Sequence, residues 1–358
     1  MHRGFICFGA LQYVRKMKHL HKITINTLGK KARNYNYQFG KTKDISIQIS
    51  SSGISIELCL TKIYDKSEIL IDGTYLFSDA IKKAFLLYLI AYDKPLTVKN
   101  ITVQIDDETE SLNINEEATP RIYSLISSSL ESPVNKKFLN DSCAKEILRQ
   151  TKSSYDSRTA ALFALLCAKS KRYETERFMY LWMSFNGLYG YYSSIVGREH
   201  GGIKISKECK QIRYFQSLFS LGNETISDDT DKTRIANEVM AIIKQTPTKI
   251  TKNFLESEDG KVVLENIAKV LSKKDGSPYN MSPYGYLLTQ LPYYLRCNIF
   301  HGSKPIKLFC LEDDLELLCL HTVNTLLEDF LDEQLCKWFD SDYICKTIIP
   351  TTQNVIII

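Results

Sequence analysis

The sequence predicts an α+β fold, in which a small N-terminal α+β module is followed by an all-α helical bundle. Apolar and polar residues alternate between residues 45 and 60, which is typical of strands with one buried face. From about Asp141 onward, apolar residues recur at helical spacing. The 358 residues are enough for two or three domains, and 44% hydrophobic and 24% charged residues are ordinary for a globular protein.

The N-terminal module is predicted to span residues 1–105. Within it, residues 45–60 alternate on both sides of a Ser51-Ser52-Gly53 turn, which predicts a β-hairpin. The other predicted elements are a short strand from Glu68 to Ile71, a helix from Asp79 to Tyr92 with Ser78 as its cap, and a strand from Leu96 to Ile105. An acidic linker or solvated loop is predicted for residues 106–140, and one interpretation is that it competes with RNA for the basic N-terminal segment.

The helical bundle is predicted for residues 141–340. Its expected helices are Cys143 to Thr151, Ser157 to Ser170, Tyr173 to Tyr192, residues 211–220, 233–244 and 261–273, Pro292 to His301, and a long amphipathic helix after it. Residues 193–210 contain three glycines and are predicted to form an insertion. An apolar tail at residues 341–358 is expected either to add a strand to the N-terminal sheet or to pack on a dimer partner.

The cysteines and the absent motifs exclude several classes of protein. None of the ten cysteines forms a C-x-x-C pair, which is typical of reduced thiols in a cytosolic protein and predicts neither a zinc site nor disulfides. No apolar run reaches the length of about 18 residues that a membrane span needs. The G-x-x-x-x-G-K-[ST], H-E-x-x-H and G-x-S-x-G motifs are missing, which disfavours nucleotide hydrolases, metalloproteases and serine hydrolases. We therefore expect a cytoplasmic protein with no metal, no cofactor and no membrane partner.

The net charge of +5 hides a basic N-terminal segment, because residues 1–49 hold ten Lys and Arg residues and one acidic residue, Asp44. Tyr35, Tyr37 and Phe39 are interleaved with these charges. Cationic side chains attract phosphate backbones and exposed aromatic rings stack bases, so the segment is a candidate RNA-binding surface. Its candidate contacts are Arg15, Lys16, Lys18, Lys30, Lys31 and Arg33. The alternative is a solvated basic face of a small β domain.

An arginine and a histidine lie five residues apart at the end of the helix predicted for residues 292–301. Histidine can take a proton from a ribose hydroxyl near neutral pH, and arginine can hold a phosphate as its charge rearranges. Arg296 and His301 are therefore candidates for a metal-independent ribonuclease site. Pro292 suits the first turn of the helix, and Gly302 suits the position just past its end. Five residues turn about 140° around an ideal helix, so the length of the arginine, a frayed last turn or a second subunit must bring the two side chains together.

Two segments resemble HEPN-domain proteins, and most of all their ApeA-like branch. Arg177 to Tyr189 is similar to that branch's F-x-x-L-W-x-x-F-N-x-L-Y helix, and Leu295 to Gly302 is similar to its R-x-N-x-x-H-G helix. The resemblance covers roughly residues 140–340. It implies an all-α HEPN bundle that dimerises, so that arginine and histidine residues of both subunits face each other across a cleft and cut RNA without metal.

The resemblance also implies roles for single residues. Arg296 and His301 would be the catalytic pair, and Asn298 would be the polar residue that family members often carry between them. In many members that polar residue directly follows the arginine, where this chain has Cys297. The sequence therefore departs from the family pattern at the position that bears on the role of Asn298.

The first of the two motif helices contributes possible supporting residues. Glu174 and Glu176 lie near its start, where acidic side chains offset the helix dipole, and one of them could instead orient the catalytic pair. Asn186 is predicted either to hydrogen-bond within the bundle or to touch the cleft. Trp182 has the spacing of a core residue, and His321 is expected to pack within the last long helix.

The sequence therefore predicts a metal-independent endoribonuclease whose composite site lies between two subunits of a homodimer or higher homo-oligomer. Its substrate would be RNA, and its products would carry a 2′,3′-cyclic phosphate and a 5′-hydroxyl. The resemblance further implies a role in anti-phage defence or as a toxin, with a phage-derived trigger or a partner protein. The alternative is a non-catalytic HEPN module that dimerises and binds nucleic acid or a partner protein.

Overall fold

The computed structural model describes residues 18–27, 35–39, 45–50, 53–65, 68–69, 75–91, 98–112, 146–149, 157–169, 171–219, 230–245, 249–271, 283–300 and 314–353. The chain divides into two units, of which one comprises residues 1–91 with 96–127 and the other comprises residues 92–95 with 128–358. The predicted α+β fold class is confirmed, because within these ranges every strand lies in the first unit and the second is built of helices.

The N-terminal unit contains an antiparallel sheet, with six strands in the described residues and the order β2-β3-β4-β1-β5-β6. The strands are β1 (His19–Thr27), β2 (Tyr35–Phe39), β3 (Ile45–Ser50), β4 (Gly53–Leu60), β5 (Val98–Ile105) and β6 (Glu108–Leu112). Strand β1 lies between β4 and β5 in the interior of the sheet. Its alternate residues Ile23 and Ile25 are fully buried. Helix α1 (Tyr75–Ala91) contacts β3 and β4 and buries Phe77 and Leu87.

Strands β3 and β4 confirm the predicted hairpin, with Ile45 opposite Leu58 and Ser50 opposite Gly53. Gly53 begins β4 with φ +154°. A Cβ atom at this position would lie 2.1 Å from the carbonyl oxygen of Ile25, so only glycine allows β4 to approach β1 this closely.

The prediction of an acidic linker is wrong for residues 106–112. Asp106 and Asp107 form a turn, and β6 then pairs with β5. Asp106 adopts φ 50°, a left-handed conformation that aspartate tolerates, and its carboxylate accepts hydrogen bonds from the backbone N–H of Leu20 (2.8 Å) and from Nδ1 of His19 (2.9 Å). The acidic residues Glu108 and Glu110 belong to β6, the last strand of the sheet order, where charged residues oppose further strand pairing. The rest of the predicted linker, residues 113–140, lies outside the described residues.

Two smaller predictions in this unit are also wrong. Glu68 and Ile69 are helical, because Asp65 and Glu68 form a capping box in which each side chain accepts the other's backbone N–H, at 2.9 and 3.1 Å. Helix α1 begins at Tyr75, four residues before the predicted start, so Ser78 lies inside the helix and does not cap it.

The C-terminal unit is a bundle of helices. Its helices are α2 (Ser157–Lys169), α3 (Glu174–Glu199), α4 (Glu208–Gln216), α5 (Thr230–Gln245), α6 (Lys249–Glu256), α7 (Glu258–Leu271), α8 (Pro283–Phe300), α9 (Asp314–Trp338), α10 (Ser341–Tyr343) and α11 (Ile349–Gln353), with a 3₁₀ turn at Ser217–Phe219 and a π-helical turn at Ile344–Ile348. Helix α3 organises the bundle, since it contacts α2, α4, α9 and α11. No helix in the described ranges has both the length and the apolarity needed to cross a bilayer.

Helices α2 and α3 approach each other at backbone distance around Gly187. The hydroxyl of Ser157 donates a 2.7 Å hydrogen bond to the carbonyl oxygen of Gly187. A Cβ atom on Gly187 would lie 2.8 Å from both the Cβ of Ala161 and the carbonyl oxygen of Ser157. The absence of a side chain at Gly187 therefore fixes the separation of the two helices.

The bundle departs from the predicted elements in several places. Helix α3 continues to Glu199, so the insertion predicted for residues 193–210 is helical over its first seven residues. Helix α8 begins at Pro283, and Pro292 lies in its interior and not in its first turn. The tail is helical at Ile349–Gln353 and contacts α3, with Nε2 of His200 donating to the carbonyl oxygen of Thr352 at 2.9 Å, so this part adds no strand to the sheet.

A buried histidine of the sheet predicts a pH-dependent stability. Nε2 of His21 accepts the backbone N–H of Tyr64 at 3.0 Å, and its ring is buried against Phe77. Burial lowers the pKa of His21 below its usual 6.5, against nearby backbone groups that raise it. As the pH falls through the pKa of the unfolded state, His21 is protonated in the unfolded chain but stays neutral in the folded sheet. The free energy of unfolding is therefore expected to decrease over this range and to level off below the folded pKa.

Urea unfolding between pH 8 and pH 4.5 would test this expectation, with His21→Gln as the comparison because glutamine keeps an acceptor but does not titrate. The ion pair of His19 with Asp106 is present in both proteins. The wild type should lose more stability than His21→Gln as the pH falls through the usual range of histidine. Parallel curves would contradict the assignment.

Candidate functional site

The candidate site is built near the C-terminal end of α8, where Arg296 follows the buried Leu295. The central carbon of the Arg296 guanidinium lies 5.8 Å from the ring centroid of Trp182 on α3, within the range of a cation–π contact. The indole of Trp182 is almost fully buried, whereas one quarter of the Arg296 side chain is exposed (25%). The bundle therefore presents a partly exposed guanidinium on a buried aromatic ring.

A carboxylate on α4 also contacts Arg296. Oε2 of Glu208 lies 3.4 Å from Nη1 of Arg296, and Oε1 of Glu208 accepts a 2.8 Å hydrogen bond from the hydroxyl of Tyr189 on α3. Burial raises the pKa of Tyr189 far above its usual 10, and the bond to Glu208 raises it further. Tyr189 thus keeps its proton and stays a hydrogen-bond donor. The contacts from Tyr189 to Glu208 and from Glu208 to Arg296 link the three helices α3, α4 and α8.

Aromatic rings form the base of the site. Phe185 lies 5.6 Å from Trp182 and 5.2 Å from Tyr189, and Tyr293 of α8 lies 6.4 Å from Trp182, all between ring centroids. Burial raises the pKa of Tyr293, and its hydrogen bond with Cys297 adds to the effect. The sequence placed Trp182 correctly in the core, but it did not show that the same ring carries Arg296.

The structure places only part of the predicted catalytic set. Arg296 is in the site described above, and the backbone of Asn298 belongs to the last turn of α8. His301 and Gly302 lie outside the described residues. The catalytic roles of His301 and Asn298 therefore stay predictions.

The three possible supporting residues have different surroundings. Asn186 is exposed on α3 one turn after Trp182, so it does not lie in the bundle interior, and its contact with a cleft stays a prediction. Glu176 is exposed in the first turn of α3. Glu174 lies eight residues before Trp182, about 12 Å along the helix, and its contacts are with α9 and Arg177.

Glu174 joins a polar cluster between α3 and α9 that includes an exposed histidine. Nδ1 of His321 donates to Oε1 of Glu174 at 2.7 Å, and Nδ2 of the fully buried Asn324 donates to Oε2 at 2.7 Å. Burial acts to raise the pKa of Glu174, but the bonds from Asn324 and His321 and the charge of Arg177 outweigh it and lower that pKa. The prediction that His321 packs in the interior is wrong, because 55% of its side chain is exposed.

The same cluster continues along α9 as alternating charges. Nη2 and Nε of Arg177 lie 2.9 and 3.1 Å from Oε2 of Glu328, and Nη1 lies 3.4 Å from Oε2 of Glu174. Lys169 at the end of α2 pairs with Asp332. Sequence reasoning missed this cluster, although Arg177 and Glu328 lie on helices that it predicted.

Most of the predicted RNA-binding segment lies outside the described residues. This holds for Arg15, Lys16, Lys30, Lys31 and Arg33. Lys18 is exposed directly before β1. Lys22 in the same strand pairs with Glu57 at 2.8 Å, so its charge is balanced within the sheet. The contact of this segment with RNA stays a prediction.

A guanidinium beside an aromatic ring is a group that can bind an anion. The acid–base chemistry is predicted for His301, which lies outside the described residues. Within the described ranges, no group of three His, Cys, Asp or Glu side chains is arranged to hold a metal ion. No protein-family model, no curated protein and no solved structure matches the chain.

Proposed function

We propose that the chain is a metal-independent endoribonuclease that uses Arg296 and His301. The observation that carries the proposal is the partly exposed Arg296 guanidinium, which lies over Trp182 and beside Glu208 at the end of the helix that leads to His301. A guanidinium in such a setting suits bidentate recognition of a phosphodiester. The resemblance of the two motif helices to HEPN proteins supports the same reaction.

In the proposed reaction, His301 takes the proton of a ribose 2′-hydroxyl, and the resulting oxygen attacks the adjacent phosphorus. Arg296 stabilises the charge that accumulates on the phosphoryl oxygens. The bond to the 5′-oxygen then breaks, which leaves a 2′,3′-cyclic phosphate and, after protonation, a 5′-hydroxyl. The composite site of two subunits, the cytoplasmic location, and the role in anti-phage defence or as a toxin, with a phage-derived trigger or partner protein, belong to this proposal.

A second candidate is a HEPN module without catalysis. The ion pair between Arg296 and Glu208 favours it, because the same contact would also hold α4 against α8 in a purely structural role. In that case the bundle would serve dimerisation, and RNA or a partner protein would bind elsewhere.

Incubation of purified protein with structured RNAs in EDTA tests the proposal, with Arg296→Ala and His301→Ala as the variants. Arg198→Ala is the matched control, because Arg198 is an exposed arginine at the far end of α3. The wild type and the control should cleave, and both site variants should lose about 10²-fold or more in rate. The new 5′ ends should accept a phosphate from a polynucleotide kinase without prior treatment.

Equal cleavage by all four proteins would contradict the proposal, because neither Arg296 nor His301 would then carry the activity. No cleavage by any of them, with all four folded and dimeric, would favour the module without catalysis. The products also discriminate, because 5′-phosphate ends would contradict attack by the 2′-hydroxyl.

A further inference from the structure

Glu208 is the carboxylate that contacts Arg296, and no sequence motif points to it. It lies in the first turn of α4, and its two oxygens face two different helices. Oε2 lies 3.4 Å from Nη1 of Arg296 on α8, and Oε1 accepts the hydroxyl of Tyr189 on α3. The carboxylate therefore links the partly exposed guanidinium to the buried side of the bundle.

The hydroxyl of Tyr189 is a fixed anchor for Glu208. Tyr189 is fully buried, and its ring lies 5.2 Å from Phe185 and 6.2 Å from Trp182. The 2.8 Å bond gives this buried hydroxyl its acceptor. A buried donor that loses its acceptor lowers the stability of the fold, so the hydroxyl of Tyr189 holds the carboxylate of Glu208 in place.

Glu208 could affect Arg296 in two opposite ways. As a gate, the Glu208 carboxylate would pair with the guanidinium until RNA displaces it, and the carboxylate would then have to move away from Arg296. As a positioning residue, it would stay in place and fix the guanidinium over Trp182. The gate requires the buried Tyr189 hydroxyl to lose its acceptor at each turnover, whereas the fixed arrangement requires no such loss.

We infer that Glu208, held by Tyr189, is a positioning residue that orients the Arg296 guanidinium for a phosphate of RNA. The inference rests on the proposed function, since it assigns Glu208 a part in the same reaction. Glu208 touches neither the ribose nor the phosphate in this assignment. It acts through Arg296, in the way that supporting residues commonly lock a reacting side chain.

The first experiment measures the position of the guanidinium without any catalysis. The chain has two tryptophans, Trp182 and Trp338, and therefore two indole N–H signals in a ¹H–¹⁵N spectrum. Glu208→Gln should shift the Trp182 signal toward its position in Arg296→Gln, because both changes release the guanidinium from its place over the ring. The Trp338 signal should stay, which reports that the bundle remains folded.

Tyr189→Phe removes only the hydroxyl and should shift the Trp182 signal in the same direction. Its matched control is Tyr192→Phe, because Tyr192 is also buried on α3 but its hydroxyl bonds Ser217 and its ring contacts Trp338. This control should move the Trp338 signal and leave that of Trp182. An unmoved Trp182 signal in Glu208→Gln would overturn the inference, whatever the cleavage assay shows.

The second experiment measures cleavage at saturating RNA. Glu208→Gln and Tyr189→Phe should lower kcat by about 10- to 100-fold with little change in KM, because a misplaced guanidinium loses stabilisation of the transition state. Faster cleavage by Glu208→Gln would identify a gate and overturn the inference. If the wild type cleaves no RNA, the proposed function and the link to catalysis fall, whereas the Trp182 signal still decides whether Glu208 places Arg296.

Discussion

Arg296→Lys is expected to lower RNA cleavage almost as far as Arg296→Ala, by about 10²- to 10³-fold. Lysine keeps the charge but lacks the planar fork with which a guanidinium can lie over Trp182, contact Glu208 and hold a phosphate in one geometry. Its ammonium is also more strongly hydrated, so the aromatic surface holds it less well. Single-turnover cleavage at saturating RNA would measure the loss at the chemical step.

Arg198→Lys is the control for this exchange, because Arg198 is 66% exposed and contacts its neighbour Glu199. It should cleave at the wild-type rate. A near-wild-type rate for Arg296→Lys would mean that a positive charge alone is sufficient, and the contact with Trp182 would then have no part in the reaction.

Arg177→Leu is expected to lower the free energy of unfolding by about 3 to 5 kcal/mol at neutral pH, because it leaves two mostly buried carboxylates without the cation between them. Arg177 contacts Glu174 and Glu328, and each of the three side chains is less than one fifth exposed. Leucine fills part of the volume but balances neither charge. Urea unfolding at pH 7 would measure the loss, and Arg198→Leu, which removes an exposed arginine, should change stability little.

The effect of Arg177→Leu should shrink at low pH. In the wild type, Arg177 helps to lower the pKa of Glu174 below its usual 4.5. The ionised carboxylate therefore stabilises the fold above pH 4.5, and this stabilisation is lost as the pH falls through the lowered pKa. Without Arg177, the pKa of Glu174 loses one of the contributions that lower it, so the carboxylate of the variant takes a proton at a higher pH and the difference in stability between the two proteins narrows as the pH falls. A difference between the two proteins that is unchanged from pH 7 to pH 4 would contradict this account.

The order of elements could be predicted where one local signal dominates. The isoleucines of β3 and β4 alternate on either side of a turn, and the apolar spacing of α2, α3 and α9 is helical. The start of α8 was misplaced because Pro292 resembles a first-turn proline, although Leu287, Leu288 and Leu291 continue the buried face before it. Helix α6 was missed because it is only eight residues long.

The candidate site could be predicted only in part, because its contacts join distant segments. The motif placed Arg296 at the end of a helix, and the spacing placed Trp182 in the core. The contact between them depends on how α3 and α8 lie against each other. The position of Glu208 depends on where α4 returns to α3. Neither arrangement leaves a local pattern in the sequence, so Glu208 and Tyr189 became visible as a pair only in three dimensions.

The close approach of α2 and α3 has an evolutionary consequence. With the carbonyl of Ser157 and the methyl group of Ala161 both 2.8 Å from any Cβ at position 187, a larger residue there requires the helices to separate. Because the carbonyl belongs to the backbone, position 187 should remain glycine, and position 161 should remain small, in any descendant that keeps this bundle. A search for distant relatives would gain discrimination by weighting this pair of small residues alongside the aromatic ones.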